Sequence, residues 1–176
     1  DYSRVQVNVP SETVMWSAYD YIASISDRVT ENFLKIFPCL KSKVVLIENI
    51  LPAEFVNKQA EAFSAELEMS AKGIHLLSIG RFCHPKNFEN IPTICTKLLE
   101  KRLNVYWYLV GFGPDESLIR QNIIQAGMEK HVFLLGKKEN PYPYIKACDL
   151  YVQPSRYEGK AVTVREAQML GKPVVI

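Results

Sequence analysis

A chain of 176 residues that is 48% hydrophobic and 23% charged holds enough apolar material for one full core and part of another, which excludes a disordered or fibrous protein. Its net charge of +2, from dispersed lysines and arginines, is too small for nucleic-acid binding or a polybasic membrane contact, so any bound anion must be met by a few placed groups. No apolar run reaches the roughly 20 residues that span a bilayer and no signal peptide is legible, so cytosolic folding is expected.

In chain order, "YIASIS" (21 to 26) reads as a strand, Ser26 as the cap of a helix carrying Val29, Phe33 and Ile36, and "KVVLIEN" (43 to 49) as a second strand. The polar, helix-prone stretch 51–72, with Pro52 at its head, reads as a linker between the tail of one domain (1–50) and a second domain (73–176). From residue 73 strands and helices alternate. "IHLLSIG" (74 to 80) is a strand buried on both faces, and Asn90 is placed to cap a helix with the stripe Ile91, Cys95, Leu98 and Leu99. "NVYWYLVG" (104 to 111) is the next strand, followed by a helix over 114–127 that opens on Asp115 and Glu116 and closes on Gly127. "HVFLLG" (131 to 136), a short helix at "YIKACD", "LYVQP" (150 to 154), a helix from about Ala161 to Leu170 and a last strand "VVI" complete the pattern. Repeated units of this length demand a parallel sheet with right-handed crossovers, that is, an α/β doubly wound nucleotide-binding architecture. The four cysteines lie far apart with no CxxC pair, which predicts reduced core thiols. The start at Asp1 without methionine and the end on an apolar run suggest a piece of a longer protein.

In open parallel sheets, ligands bind where strand ends meet helix N-termini, which directs attention to Arg81 and Lys86 after the first long strand and to "SRYEGKAV" after the strand at 150–154. Gly159 lets a ligand approach the backbone, and the amides of Lys160, Ala161 and Val162 at a helix start form an anion site. Glu158 and Glu166 would repel a phosphate by roughly 1–4 kcal/mol per charge pair, so they must serve something neutral. Sugar hydroxyls fit, because one carboxylate accepts two hydrogen bonds from a vicinal diol. A diphosphate on the helix tip then has a transferable sugar toward Glu158 and a nucleoside ribose toward Glu166, with Arg81 and Lys86 offsetting its charge.

The set "SIGRF…PKN", "LVGFGP", "VFLLG", "ACDLYVQPSRYEG", the E-x7-E of Glu158 and Glu166, and "EAQMLGKPVV" resembles the C-terminal donor-binding domain of the family-4 retaining glycosyltransferases, which have the two-domain GT-B fold. The earlier "IASIS…NFLKIFP…VVLIEN" resembles the closing segment of that family's N-terminal domain, and the wording "YEGKAVTVREAQ" is most similar to bacterial surface polysaccharide enzymes. The resemblance implies a nucleotide-diphosphate sugar donor, retention at the anomeric carbon, no metal or further cofactor, and a glycan or lipid-linked sugar acceptor. It implies that Arg81 and Lys86 hold the diphosphate, that Glu158 contacts the donor sugar and Glu166 the ribose, and that Gly80, Gly159, Lys160, Ala161 and Val162 line the donor site. Catalytic weight then falls on Glu158, Arg81 and Lys86. Peripheral membrane association of the full-length protein at the inner face of the plasma membrane is a further expectation.

Two departures stand out. The family places an aromatic or small apolar pair after "EG", where this chain has Lys160 and Ala161, so Lys160 is expected to add a cation near the diphosphate or sugar. The family's N-terminal half, with its acceptor site and a histidine, lies outside the chain, so the fragment itself is expected to be inactive. Among other residues, "GFGP" reads as a structural turn, His75 and His131 as packing or capping groups, His84 and Tyr157 as candidate donor contacts, Tyr142 and Tyr144 as core edge, and Cys148 as packing. A dinucleotide-dependent oxidoreductase would need a glycine triplet where "GRFCHP" stands. A catalytically idle sugar-nucleotide-binding or scaffold protein of the same fold is the remaining alternative.

Overall fold

A computed structural model describes residues 8–47, 50–158 and 161–176. The chain divides into two compact units between residues 50 and 51.

In the first unit, helix α1 (Val9–Ser17) is followed by strand β1 (Ile22–Ser24), helix α2 (Asp27–Ile36), a 3-10 turn (Pro38–Lys43) and strand β2 (Val44–Leu46). β1 and β2 pair in parallel, with Ile22 opposite Val44. The Ser26 hydroxyl accepts from the Val29 amide and caps α2 as its position predicts. Ile22, Phe33, Phe37 and Leu40 form the local core.

The second unit opens with helix α3 (Ala53–Ala60), then alternates β3 (Ile74–Ile79), α4 (Ile91–Glu100), β4 (Val105–Val110), α5 (Glu116–Gln125), β5 (Val132–Gly136), α6 (Tyr142–Ala147), β6 (Leu150–Val152), α7 (Val162–Met169) and β7 (Val174–Val175). All five strands are parallel, in the order β5-β4-β3-β6-β7. β4 reads as an unbroken apolar run, and β3 as one interrupted by His75 and Ser78, because the sheet is covered on both faces. On one face Leu76, Trp107 and Leu109 meet Ile91 and Cys95 of α4 and Ile119 and Ile123 of α5. On the other, Leu77, Tyr108 and Tyr151 meet Tyr144 and Ile145 of α6 and Val164 and Ala167 of α7. Each such large buried side chain contributes about 1.5–3 kcal/mol of transfer free energy. β6 stops at Val152 because Pro154 has no amide to continue a ladder.

Two local expectations are corrected. Residues 51–72, read above as a linker, fold with the second unit: Val56 and Ala60 of α3 are buried, Ala65 and Met69 join the core beside α6 and α7, and Lys138, Asn140 and Lys146 bond Glu68, Gln59 and Glu61. The polar residues dominate this stretch by count, but its apolar ones share one face. Asn90 lies at the start of α4 without capping it by its side chain; its amide donates to Asn87 Oδ1 instead. Two 3-10 turns, His84–Lys86 and Phe88–Asn90, precede α4, and Asn87 joins them in the left-handed conformation, φ 61°.

The sheet order places the topological switch point between β3 and β6. Chain progress runs outward from β3 through β4 to β5, then returns to β6 on the opposite side of β3. The loops after β3 and β6 therefore face each other across the carboxyl edge, where such folds bind ligands.

Candidate functional site

Those two loops are fastened together. The Arg156 amide donates to Pro85 O at 2.8 Å, and its guanidinium Nη1 reaches His84 O at 2.6 Å and Glu89 Oε1 at 2.7 Å. From the other side Asn87 Nδ2 donates to Pro154 O at 2.9 Å. Between these fasteners Lys86 Nζ meets Glu158 Oε1 at 2.6 Å.

Glu158 Oε1 also accepts from Ser155 Oγ at 2.6 Å and Gln153 Nε2 at 2.8 Å. Gln153, fully buried, is oriented in turn by the Tyr151 hydroxyl, which donates to Gln153 Oε1 at 2.8 Å. Burial pushes the Glu158 carboxyl up, but the hydrogen bonds from Lys86, Ser155 and Gln153 and the Lys86 charge outweigh it and hold the group below the usual glutamate range. Glu158 is therefore ionised at neutral pH. All three donors converge on Oε1, and Oε2 has no hydrogen-bond partner among the described residues.

Glu166, on α7, shows the same division. It is 8% exposed, and its Oε1 accepts from the Tyr142 hydroxyl at 2.9 Å, while Oε2 has no partner among the described residues. Burial raises its carboxyl above the ordinary value, opposed by the Tyr142 hydrogen bond. Burial likewise pushes Tyr142 up to about 12, so its hydroxyl stays a donor. Burial raises the pKa of the Tyr151 hydroxyl, and both carboxylates add to that effect. Each presents one fixed oxygen and one open oxygen, an arrangement suited to accepting hydrogen bonds from ligand hydroxyls.

Ala161 and Val162 form the start of α7; Ala161 is the N-cap residue and supplies no side-chain hydrogen bond to the helix amides. Gly159 and Lys160 lie outside the described residues, and so does the expectation for Lys160. Arg81 is exposed; its carbonyl accepts from Cys83 Sγ at 3.4 Å, and its guanidinium has no hydrogen bond or ion pair among the described residues. It lines a cleft of about 270 Å³ with Ile79, Gly80, Phe112, Lys137 and Pro141 at the ends of β3, β4 and β5. A Cβ on Gly80 would lie 3.5 Å from the Lys86 stem, an ordinary contact.

The "GFGP" turn is structural. A Cβ on Gly111, at φ 148°, would collide with Gly80 O, one on Gly113 would collide with the Phe82 backbone, and Phe82 N donates to Phe112 O at 2.9 Å. The glycines let the loop after β4 lie against the loop that carries Arg81. His75 Nε2 pairs with Ala71 O and His131 Nδ1 with Val105 O, and burial pushes the Cys148 thiol up to about 12, so all three serve packing. His84 and Tyr157 are exposed, and His84 contributes a backbone carbonyl to the Arg156 contact. Sequence reasoning missed Gln153, Ser155, Arg156, Asn87 and the hydroxyl of Tyr142. A glutamine at the end of an otherwise apolar strand was the available signal for the first, since a buried amide needs partners.

The doubly wound parallel sheet, covered by helices on both faces, makes the second unit an α/β protein, with Lys86 and Glu158 meeting at its switch point. Residues 59–176 match the family Glycosyl transferases group 1, and the chain belongs to that family. It is 30% identical over 141 residues to the putative glycosyltransferase EpsF of Bacillus subtilis, covering 77% of this chain and 36% of EpsF. It is 27% identical over 111 residues to the lipopolysaccharide core biosynthesis glycosyltransferase LpsD of Rhizobium meliloti, covering 63% of this chain and 31% of LpsD. The fold matches that of Anabaena Alr3699/HepE, solved in complex with UDP and glucose, with a TM-score of 0.75 and 18% identity over 95% of this chain and 47% of that one. The chain thus spans less than half the length of these proteins. No helix among the described residues is long and apolar enough to cross a membrane.

Proposed function

We propose that this chain is the donor-binding part of a retaining glycosyltransferase that moves a sugar from a nucleotide-diphosphate sugar to a glycan or lipid-linked acceptor in bacterial cell-surface polysaccharide synthesis. The meeting of Lys86 and Glu158 at the β3/β6 switch point, with the Arg81 guanidinium on the same loop as Lys86 and unpaired among the described residues, carries the reading. The diphosphate lies against the start of α7. Arg81 engages it by its guanidinium fork, and Lys86 turns from Glu158 toward it as a point charge. Glu158, freed of its cation, accepts from hydroxyls of the donor sugar and faces the carbon that gains positive charge as the bond to the diphosphate breaks. Glu166 accepts from the ribose. Cations and helix amides meet the charge that grows on the departing diphosphate, a task that needs no divalent metal here. HepE, of like fold, is described in complex with UDP and glucose, which favours a uridine nucleotide as donor. We place the full-length protein in the cytoplasm, with peripheral association at the inner membrane face where a lipid-linked acceptor is used, and expect the isolated chain to be inactive.

The test is transfer by the full-length protein with Arg81→Ala. Turnover is expected to fall by about 100-fold, the scale of losing one preorganised stabiliser of developing charge. Undiminished transfer would remove Arg81 from the leaving-group role. A full-length wild-type protein that binds UDP, GDP or ADP but transfers no sugar would establish the catalytically idle alternative.

A further inference from the structure

We infer that Tyr142 is a positioning residue for the nucleoside diol: its hydroxyl fixes one oxygen of Glu166 so that the other stays turned toward the ligand. The inference rests on the proposed reading of Glu166 as the ribose contact. Three observations carry it.

First, the place of Tyr142 in the fold is set without its hydroxyl. Its amide donates to Asn140 Oδ1 at 3.1 Å, Asn140 is itself bonded to Gln59 O at 2.8 Å, and the Tyr142 ring meets Phe55 edge-on with centroids 6.2 Å apart. These contacts hold the start of α6 against α3. The hydroxyl is left with one partner among the described residues, Glu166 Oε1 at 2.9 Å.

Second, Glu166 has little else to hold it. It is 8% exposed on the buried side of α7, and no cation pairs with it among the described residues. A buried carboxylate with a single donor takes its rotamer from that donor. Glu158 is different, with three donors on one oxygen.

Third, the chain enters α6 from the edge of the cleft. Pro141, the residue before Tyr142, lines it with Ile79 and Arg81. The hydroxyl also opposes the effect of burial on Glu166 and favours the charged acceptor that a diol requires.

The experiment is calorimetric titration of the full-length protein with UDP, GDP and ADP, each beside its 2′,3′-dideoxy counterpart. The wild type is expected to bind its preferred ribonucleotide roughly 10-fold more tightly than the dideoxy form, the scale of a hydrogen bond to a charged group. Tyr142→Phe should cut that preference to about twofold while leaving dideoxy affinity unchanged, which a folding defect does not produce. Phe55→Leu, which loosens the ring contact and spares the hydroxyl, should keep the preference. If Tyr142→Phe keeps the full preference, or weakens both forms equally, while Glu166→Gln abolishes it, the positioning role is overturned and the ribose reading stands. A wild type without ribose preference overturns both.

Discussion

Lys86 Nζ and Glu158 Oε1 lie 2.6 Å apart although 72 residues separate them in the chain. The pair is partly buried, with side-chain exposures of 24% and 21%, so its geometry matters more than that of a surface ion pair. Lys86→Met leaves Glu158 with two neutral donors and no cation. The variant is expected to lose roughly 1–3 kcal/mol of stability, measured by urea unfolding at pH 7.5.

The pH dependence of stability follows from the same carboxyl. The folded-state pKa of Glu158 is depressed, so its contribution is present above the unfolded glutamate value, 4.5, and is lost as pH falls through the lower folded value. The stability difference between wild type and Glu158→Gln should therefore be constant from pH 8 to 6 and shrink below pH 5. A difference that grows on acidification contradicts this sign.

Glu166 has the opposite sign. Burial raises its folded-state pKa, so the stability contributed by its protonated form is present below the unfolded value and lost as pH rises through the folded one. Glu166→Gln keeps an acceptor for Tyr142 and removes the buried charge. We expect its melting temperature at pH 7.5 to rise by roughly 2–4 °C while nucleotide affinity falls, the trade between stability and function seen at binding sites.

Glycines in the second unit separate into two kinds. Gly111→Ala forces a Cβ into Gly80 O at φ 148° and is expected to cost more than about 2 kcal/mol, displacing the loop that bears Arg81. Gly127, at φ 64°, ends α5 with nothing within 4 Å, so Gly127→Ala is expected to cost about 1 kcal/mol and leave nucleotide binding unchanged. Chemical unfolding with a nucleotide titration distinguishes the two.

Arg156 ties the loop after β6 to the loop that carries Lys86, through Pro85 O, His84 O and Glu89 Oε1. Arg156→Lys keeps the charge but not the guanidinium that reaches both His84 O and Glu89 Oε1. Diphosphate affinity is expected to fall about 3- to 10-fold with little change in melting temperature. An unaltered affinity would show that the backbone contacts at Pro85 and Pro154 hold the loops together unaided.

Much of the second unit was legible in the residues themselves. β3 and β4 declare themselves as apolar runs, α4 by the spacing of Ile91, Cys95 and Leu98, and α7 by the glycine and proline that end it, because periodicity and backbone stiffness are local properties. The E-x7-E spacing marked both carboxylates for the same reason. Tertiary structure alone decided which groups meet them. Strand order brings the loop of Lys86 beside that of Glu158, and the packing of α6 on α7 sets the Tyr142 hydroxyl on Glu166. It also decided that Val56, Ala60, Ala65 and Met69 fold with the second unit. A hydrogen bond is chosen by distance and direction in space, and sequence distance carries no record of either.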